Sequence, residues 1–462
     1  MVIALVTMAA GVAEARPCPR VARGAVRPLA TGGARAPGLD ESFALVRVGG
    51  ALWSARQGAL DPCKNAWTPA PPTGSPLTID GLRAVDATRI ARWHDGAGWL
   101  FDGARWRPIA STGAPPARQG AVVTWIGDRV LVWGGADAAG VPSGDGAIYD
   151  VAGDRWTALP TASAPSARVN AAWGVVGGRV IVWGGESGAR GAGGVLRDGA
   201  SYDPVAGAWA ALPVAGAPGD GIAITILDDG GDAVVWSQFR GDGARLARAT
   251  STWTPLPRLP SAGPGAVLRA VDHPGLFAHD SGGGLYRLRP GAAAWQVMAV
   301  PAPIATARWT PRIDGGALTL VRTAPRPGVA LEVAILAADD TWTLVPLAGA
   351  APAATAVDVR PPGDDGVGPL VHLAARAVHV LDLPARRWRT TRLPAGPWWA
   401  ATAVGDFVVV WGRPRHERHT VTQACGCEGV RQPGDPGCDP MECLVIEDRT
   451  VIDPAGRIVR WR

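Results

Sequence analysis

The sequence predicts an all-β repeat protein. Three observations predict it: dense turn punctuation, short apolar runs, and a tryptophan that returns at nearly constant intervals. Glycine (62) and proline (42) together supply 104 of 462 residues, about twice their ordinary share. Punctuation of that density leaves little room for long helices. Between the turn formers lie apolar, largely β-branched runs such as Val130-Leu131-Val132-Trp133 and Val180-Ile181-Val182-Trp183. Runs of this length bounded by turn residues read as buried strands. Hydrophobic residues make up 47% of the chain and charged residues 18%. That balance excludes wholesale disorder and suffices for a large core. The length alone would suggest about three domains, but a repeat array of this size can form one body.

Two segments match position by position. The first carries Pro116-Ala117-Arg118, the run ending in Gly134-Gly135, Tyr149-Asp150 and Trp156 to Pro160. The second carries Pro165-Ser166-Ala167-Arg168, the run ending in Gly184-Gly185, Tyr202-Asp203 and Trp209 to Pro213. The arginines and the Gly pairs are 50 residues apart, and the tyrosines and closing tryptophans 53 apart. Six residues separate Tyr from Trp in both copies. Weaker copies flank these two, with closing tryptophans at Trp67, Trp106, Trp156, Trp209, Trp253, Trp295, Trp342, Trp388 and Trp461. All intervals fall between 39 and 53 residues except the last, which is 73. The excess is explained by a Cys-rich insertion at 413–443 in the last unit. Gly127-Asp128-Arg129, Gly177-Gly178-Arg179 and Gly405-Asp406 read as hairpin connections inside units.

An apolar run, a Gly pair, then Tyr and Trp six residues apart resembles the kelch repeat. The resemblance implies a bacterial, exported β-propeller in which each unit is one four-stranded antiparallel blade. The tryptophan intervals then imply eight blades, with seven as the alternative. Phe43 to Trp67 would add three strands without an evident fourth. Only two units keep Gly-Gly; elsewhere Ser237-Gln238 and Ala278-His279 stand in its place. The propeller would span 43–462, preceded by an N-terminal segment at 16–42.

Residues Met1 to Val12 are almost without polarity and are followed by Ala13-Glu14-Ala15, the pattern of a secretory signal peptide at 1–15. Arg16-Pro17 ahead of Cys18 does not suit lipoprotein acylation. A secreted or periplasmic protein is therefore expected. No apolar stretch is long enough to predict a membrane-spanning helix. The even count of six cysteines, Cys18, Cys63, Cys425, Cys427, Cys438 and Cys443, suits disulfides in that compartment. Cys18 with Cys63, and two bridges within the C-terminal cluster, form the simplest scheme, and the order within the cluster stays open. Zinc is the alternative, because His416 and His419 precede Cys425-x-Cys427. The formal net charge of +5 is scattered, unlike the clustered basic stripe that nucleic acid requires. Arg413 to His419 reads as a solvated loop.

No catalytic constellation stands out. Tyr149, Tyr202 and Tyr286 occupy the repeat's Tyr slot or lie near it, which argues against the copper–tyrosyl radical chemistry known on kelch propellers. There is no sialidase-type box and no G-x-S-x-G elbow. His372 and His379 alternate with apolar residues and read as core or channel positions. Asp228-Asp229, Asp339-Asp340 and Asp364-Asp365 read as turns, with calcium at Asp228, Asp229 and Asp232 as an alternative. Catalytic residues, metals and cofactors are therefore expected to be absent.

Arg118 and Arg168 fill one slot in successive units, near the channel mouth by the resemblance, where they would pair with neighbouring blades or recognise an acidic group. Asp137, Glu186 and Arg190 lie on Gly-rich loops after Gly-Gly and are binding candidates. Trp309, Trp398 and Trp399 fall outside the periodic tryptophan set and are candidates for a ligand-facing aromatic. The expected function is an exported, monomeric, non-enzymatic scaffold that presents loops to a protein or glycan. The alternative is a sugar isomerase-like enzyme using Arg, Glu and His in the channel, and a surface-coat protein is a third possibility.

Overall fold

The computed structural model describes residues 106–188, 193–219, 221–261, 264–268 and 274–305. Between 22 and 101, and between 309 and 460, it describes the strands given below with some adjoining turns. Eight four-stranded sheets and one three-stranded sheet follow one another along the chain, all antiparallel. The third sheet is typical: Val122–Ile126, Arg129–Trp133, Gly146–Asp150 and Arg155–Ala158 pair in sequence order. The fourth repeats it with Ala172–Val176, Arg179–Trp183, Gly199–Asp203 and Ala208–Ala211. The fifth spans 224–256 and the sixth 265–297, with the seventh at 309–346 and the three-stranded eighth at 371–392. A one-turn helix, Ala302–Ala305, is the only helix among the described residues.

The unit count differs from the expected eight. Ala66–Thr68 supplies the fourth strand that Phe43 to Trp67 seemed to lack, so 45–68 is a complete first sheet ahead of the second at 82–108. The ninth sheet joins Trp398–Val404, Phe407–Gly412 and Arg457–Arg460 to a strand from the N-terminal segment, Val26–Pro28. Val26 pairs with Val459 and Pro28 with Arg457. The first strand of the first sheet lies beside the first strands of the second and ninth sheets, so the sheets form a circuit. Closure of this kind covers edges that would otherwise recruit foreign strands.

Among the described residues, each seam from the second sheet to the ninth is a separate apolar cluster. Val122, Leu131 and Trp133 of the third sheet pack with Val180, Val182 and Trp209 of the fourth. Ile181 and Trp183 of the fourth pack with Val235 and Trp253 of the fifth, and Val234 and Trp236 of the fifth with Leu276 and Trp295 of the sixth. The tryptophans do not merely fill these seams. Trp133 faces Trp209 with ring centroids 5.7 Å apart, Trp183 faces Trp253 at 5.3 Å, and Trp236 faces Trp295 at 5.6 Å. The closing indoles also donate Nε1–H backwards to a carbonyl of the preceding unit: Trp156 to Ala110 (2.7 Å), Trp253 to Pro213 (2.7 Å) and Trp295 to Pro257 (2.6 Å). Trp342 and Trp388 do the same to Ala299 (3.0 Å) and Val345 (3.2 Å). Buried, periodic and bonded, these residues belong to the framework.

Trp209 breaks the pattern. Its Nε1 is buried without a hydrogen-bond partner among the described residues, although Pro160 occupies the slot of Ala110 and Pro213. A local difference lies in the turn above it. Gly113 and Gly216 take positive φ (79° and 77°) in turns on Trp156 and Trp253, where an added Cβ would come within 3.3 and 3.2 Å of the tryptophan Cβ. Ser163 has the equivalent place at φ 58° and does carry a Cβ. By analogy with those two turns, its Cβ would crowd Trp209, an effect that the Ser163→Gly variant tests.

The segment Arg413 to His419 is not the loop expected. Arg415–Ala424 and Glu442–Val451 form a two-stranded antiparallel hairpin that pairs with no other strand among the described residues. Its register sets Glu417 opposite Arg449, Arg418 opposite Asp448 and His419 opposite Glu447. Opposite charges at directly opposed positions favour a ladder, so the sequence of this polar stretch is compatible with strand.

Replacing Trp156 with Phe is expected to cost about 1 kcal/mol more than replacing Trp209 with Phe, because only the first loses a hydrogen bond. Urea denaturation of both variants measures the difference. Ser163→Gly is expected to raise stability by about 1 kcal/mol by relieving a left-handed non-glycine residue, and an unchanged or lowered midpoint would contradict the crowding argument.

Candidate functional site

The loops after the Gly pairs and the segments that enter each sheet share one face, and Arg118 and Arg168 lie on it. Arg118 Nη1 donates to the carbonyls of Gly134 (3.3 Å) and Asp145 (3.0 Å), and Nη2 lies 2.7 Å from the Asp145 carboxylate. Arg168 repeats this one unit on. Its Nη1 donates to the carbonyls of Gly184 (3.0 Å) and Asp198 (3.1 Å), and its Nη2 lies 3.0 Å from the Asp198 carboxylate. Arg168 also reaches Ser166, through Nε to the carbonyl (2.8 Å) and Nη2 to Oγ (2.9 Å). Its side chain is 0% exposed while that of Asp198 is 50% exposed. Burial pulls the guanidinium down from its ordinary value, and Asp198 pushes the other way. A planar five-donor fork suits such convergent carbonyls, which an ammonium could not satisfy.

The Gly pairs are what the arginines hold. Gly184 and Gly185 take φ 66° and 90°, and a Cβ on them would meet Gly221 O at 2.3 Å and Val169 O at 2.6 Å. The turn therefore presses directly on the next unit, and Gly185 N–H donates to Gly221 O at 2.8 Å. In the third sheet, Gly135 N–H likewise donates to Arg168 O at 2.9 Å. The arginines lock a turn and a seam together. Asp145 is part of the same lock: its bond from the Ser143 hydroxyl outweighs burial and, with Arg118, holds its carboxyl below the usual range. Asp145 and Asp198 were not singled out from the sequence, yet each stands four residues before its repeat tyrosine, a spacing that could have found them.

The other candidates fall in several places. Asp137 is exposed and closes its loop by accepting Val141 N–H at 2.9 Å. Glu186 is half-buried, and its backbone bridges Val169 and Val195. Arg190 lies outside the described residues. Trp309 is half-buried against the sixth and seventh sheets, with Phe277, Ile304 and Leu318. Trp398 and Trp399 begin the strand Trp398–Val404, where the register shifts between Trp398 and Ala400; their side chains lie outside the described residues. Cys18, Cys63, Cys425, Cys427 and Cys438 lie outside them too. Cys443 stands opposite Gln423 on the hairpin.

Of the two alternatives raised by the sequence, calcium loses its geometry; the zinc set, which needs Cys425 and Cys427, lies partly outside the described residues. For calcium, Asp228 accepts the N–H groups of Gly177 (2.8 Å) and Gly231 (2.7 Å), Asp229 pairs with Arg245 at 2.5 Å, and Asp232 accepts Arg248 N–H at 2.9 Å. These carboxylates bind turns and strands together.

The first strands of the third, fourth and fifth sheets read VVTWI, AWGVV and ITILDD. Their polar residues are Thr124, Thr225 and the terminal aspartates at the turn. Among the described residues, Arg118 and Arg168 bond to backbone carbonyls, to Ser166 and to the carboxylates of Asp145 and Asp198. Exposed apolar residues occur on the loops, Val141 and Phe239 at 60% each with Val195 and Ile222 less so. They occur elsewhere too: Val205 (95%) is on a turn between the third and fourth strands of its sheet, and Val297 and Leu344 are on strands. Phe239 tips a turn fixed at both ends, by Gln238 N–H to Ala223 O (3.0 Å) and Gly241 N–H to Ser237 O (3.0 Å).

Such sheets and seams define an all-β, propeller-like protein of four-stranded antiparallel blades. The chain matches no family model and no curated protein. The solved structure of YjhT is similar to it at 14% identity, covering 56% of this chain and 94% of that one, with a TM-score of 0.32.

Arg168→Ala is expected to destabilise the protein by about 3 kcal/mol, because several buried acceptors lose their donor at once. Arg168→Lys is expected to recover little of that. Urea denaturation of both variants, beside Arg118→Ala, gives the comparison.

Proposed function

We propose that this chain is an exported, kelch-like propeller that acts as a non-enzymatic binding scaffold. It presents the loops after its Gly pairs to a protein or glycan partner. The observation that carries this reading is the commitment of Arg118 and Arg168. Both sit where a channel-mouth enzyme would place its charge, and both are engaged by backbone carbonyls and by Asp145 or Asp198. A group already saturated by its own fold has little left for a substrate. The apolar first strands support the same reading.

The loops have what the arginines lack. Val141, Val195 and Phe239 expose apolar surface on anchored backbone, beside Asp137 and Glu186. Rigid presentation of apolar and polar groups lowers the entropy cost of binding. The kelch assignment rests on the Gly-Gly, Tyr and Trp slots of the third and fourth sheets, which take equivalent strand positions: Tyr149 pairs with Trp156, and Tyr202 with Trp209. Export rests on the N-terminal sequence. A monomer with disulfides at its six cysteines completes the proposal.

The test is a glycan array and a pull-down from periplasmic and secreted proteins, with Val141→Asp/Phe239→Asp compared with the unaltered protein. Captured species are expected to fall at least about tenfold, the equivalent of a small hot spot, with melting unchanged. Undiminished capture by that variant would remove the loop face from the function, and turnover of a sugar would remove the non-enzymatic reading.

A further inference from the structure

We propose that His372 and His379 form a two-histidine site for a first-row divalent transition-metal ion. The two residues stand directly opposite each other on adjacent antiparallel strands, Val371–Ala374 and Ala377–Asp382. Opposed residues project to the same side of a sheet, and here the ring centroids are 5.6 Å apart with planes inclined at 37°. Two imidazoles sharing one ion at N–metal distances of about 2.0–2.1 Å place their centroids roughly 5–6 Å apart at trigonal to tetrahedral angles. The observed separation needs no rearrangement of the backbone.

A third residue in the same row orients one ring. Thr390 stands opposite His379 on the strand Arg387–Arg392, and its Oγ1 lies 2.8 Å from His379 Nδ1. Ring geometry then places Nε2 on the half of the imidazole away from Thr390. A hydrogen bond at the other nitrogen is the usual way a metal-binding imidazole is held in tautomer and direction, and the contact between Nδ1 and the Thr390 hydroxyl suits that role. Two positions along the same strand, Leu381 packs with Val333 and Val345 of the seventh sheet, so the row is anchored.

His372 is 4% exposed and His379 half-buried. Among the described residues no group of three His, Cys, Asp or Glu side chains converges. Two imidazole nitrogens disfavour the oxygen-seeking Ca²⁺ and Mg²⁺, and Cu(II), the tightest binder of such nitrogens by the Irving–Williams order, is the most sensitive probe of the pair.

The test is a titration of the full chain with Cu(II) alone at neutral pH, after alkylation of any free thiols, followed by calorimetry and electron paramagnetic resonance. One equivalent is expected to bind, with hyperfine splitting from imidazole nitrogen. His372→Gln and His379→Gln are each expected to weaken binding at least about tenfold, since the second donor no longer acts at high effective concentration. Thr390→Val is expected to weaken it about tenfold through loss of the orienting bond, and a His416→Gln/His419→Gln variant is expected to bind as before. Undiminished binding in both His372→Gln and His379→Gln overturns the site, as does failure of the unaltered protein to bind. Melting curves without metal establish that the variants fold, and His379, only half-buried, keeps the test decisive if His372→Gln does not.

Discussion

The hydrogen bond from a tryptophan indole to a backbone carbonyl of the preceding unit holds this architecture to its period. A four-stranded sheet of such short strands has two apolar faces and cannot bury either alone. It needs a neighbour on each side at a fixed distance. A large flat side chain fills that gap, and its single N–H sets where along the gap it sits. Trp156, Trp253 and Trp295 meet this requirement with bonds of 2.6 to 2.7 Å, and each also faces a tryptophan of the unit before it. One bond contributes only about 1 kcal/mol. Repeated at seam after seam, it selects one spacing for the circuit.

The same demand explains where the charges go. A seam between rigid sheets leaves turns of neighbouring units close together, with unpaired backbone groups facing each other. Asp154 bridges one such gap, accepting from Ala110 N–H (3.0 Å), Arg107 (2.7 Å) and the Tyr149 hydroxyl (2.5 Å). Burial would raise its carboxyl, yet these bonds hold it below the usual range. Asp228 bridges the turns of the fourth and fifth sheets, and Arg287 with Asp340 those of the sixth and seventh. Arg118 and Arg168 are members of this set. Their repetition at one slot is a mark of assembly, and this turns attention to residues that do not repeat: Phe239, and the row His372, His379 and Thr390.

What was legible in the sequence follows from the range of each interaction. The Trp period, the Gly pairs and the two-residue turns are local, and all were readable. Ile126 pairs with Arg129 and Val176 with Arg179 across those turns. The strand Val26–Pro28 was not readable, because it has three residues, ends in proline, and finds its partner at the far end of the chain. The hairpin was missed for a related reason. Arg415 to His419 is polar on both faces, and its complementary charges lie some thirty positions away in Glu447 to Arg449. The pairing of His372 with His379 was within reach, since Ala374 and Ala377 flank a two-residue turn and fix the register. The role of Thr390 was not, because it depends on a second turn whose length the sequence leaves open.

The departures from the repeat show how much of it is negotiable. In the third and fourth sheets the second and third strands are joined by long loops that begin with Gly-Gly. In the fifth, Ser237 and Asp242 pair directly across a four-residue turn, with Gln238 where the second glycine stood. The close approach to the next unit survives in another form: Gly265 N–H donates to Gln238 O at 2.8 Å, and Gln238 N–H to Ala223 O at 3.0 Å. Ala223, at φ 49°, keeps the left-handed backbone that Gly120 (66°) and Asn170 (54°) hold at the equivalent position before the first strand. The bond between units is therefore kept while the residues that make it change. The tryptophan is not exchanged in the same way, because no other side chain combines that flat area with a donor at its edge. A chain built on this rule can shorten or lengthen loops on one face without disturbing its seams. Recognition of a partner can thus diverge while the scaffold stays in place.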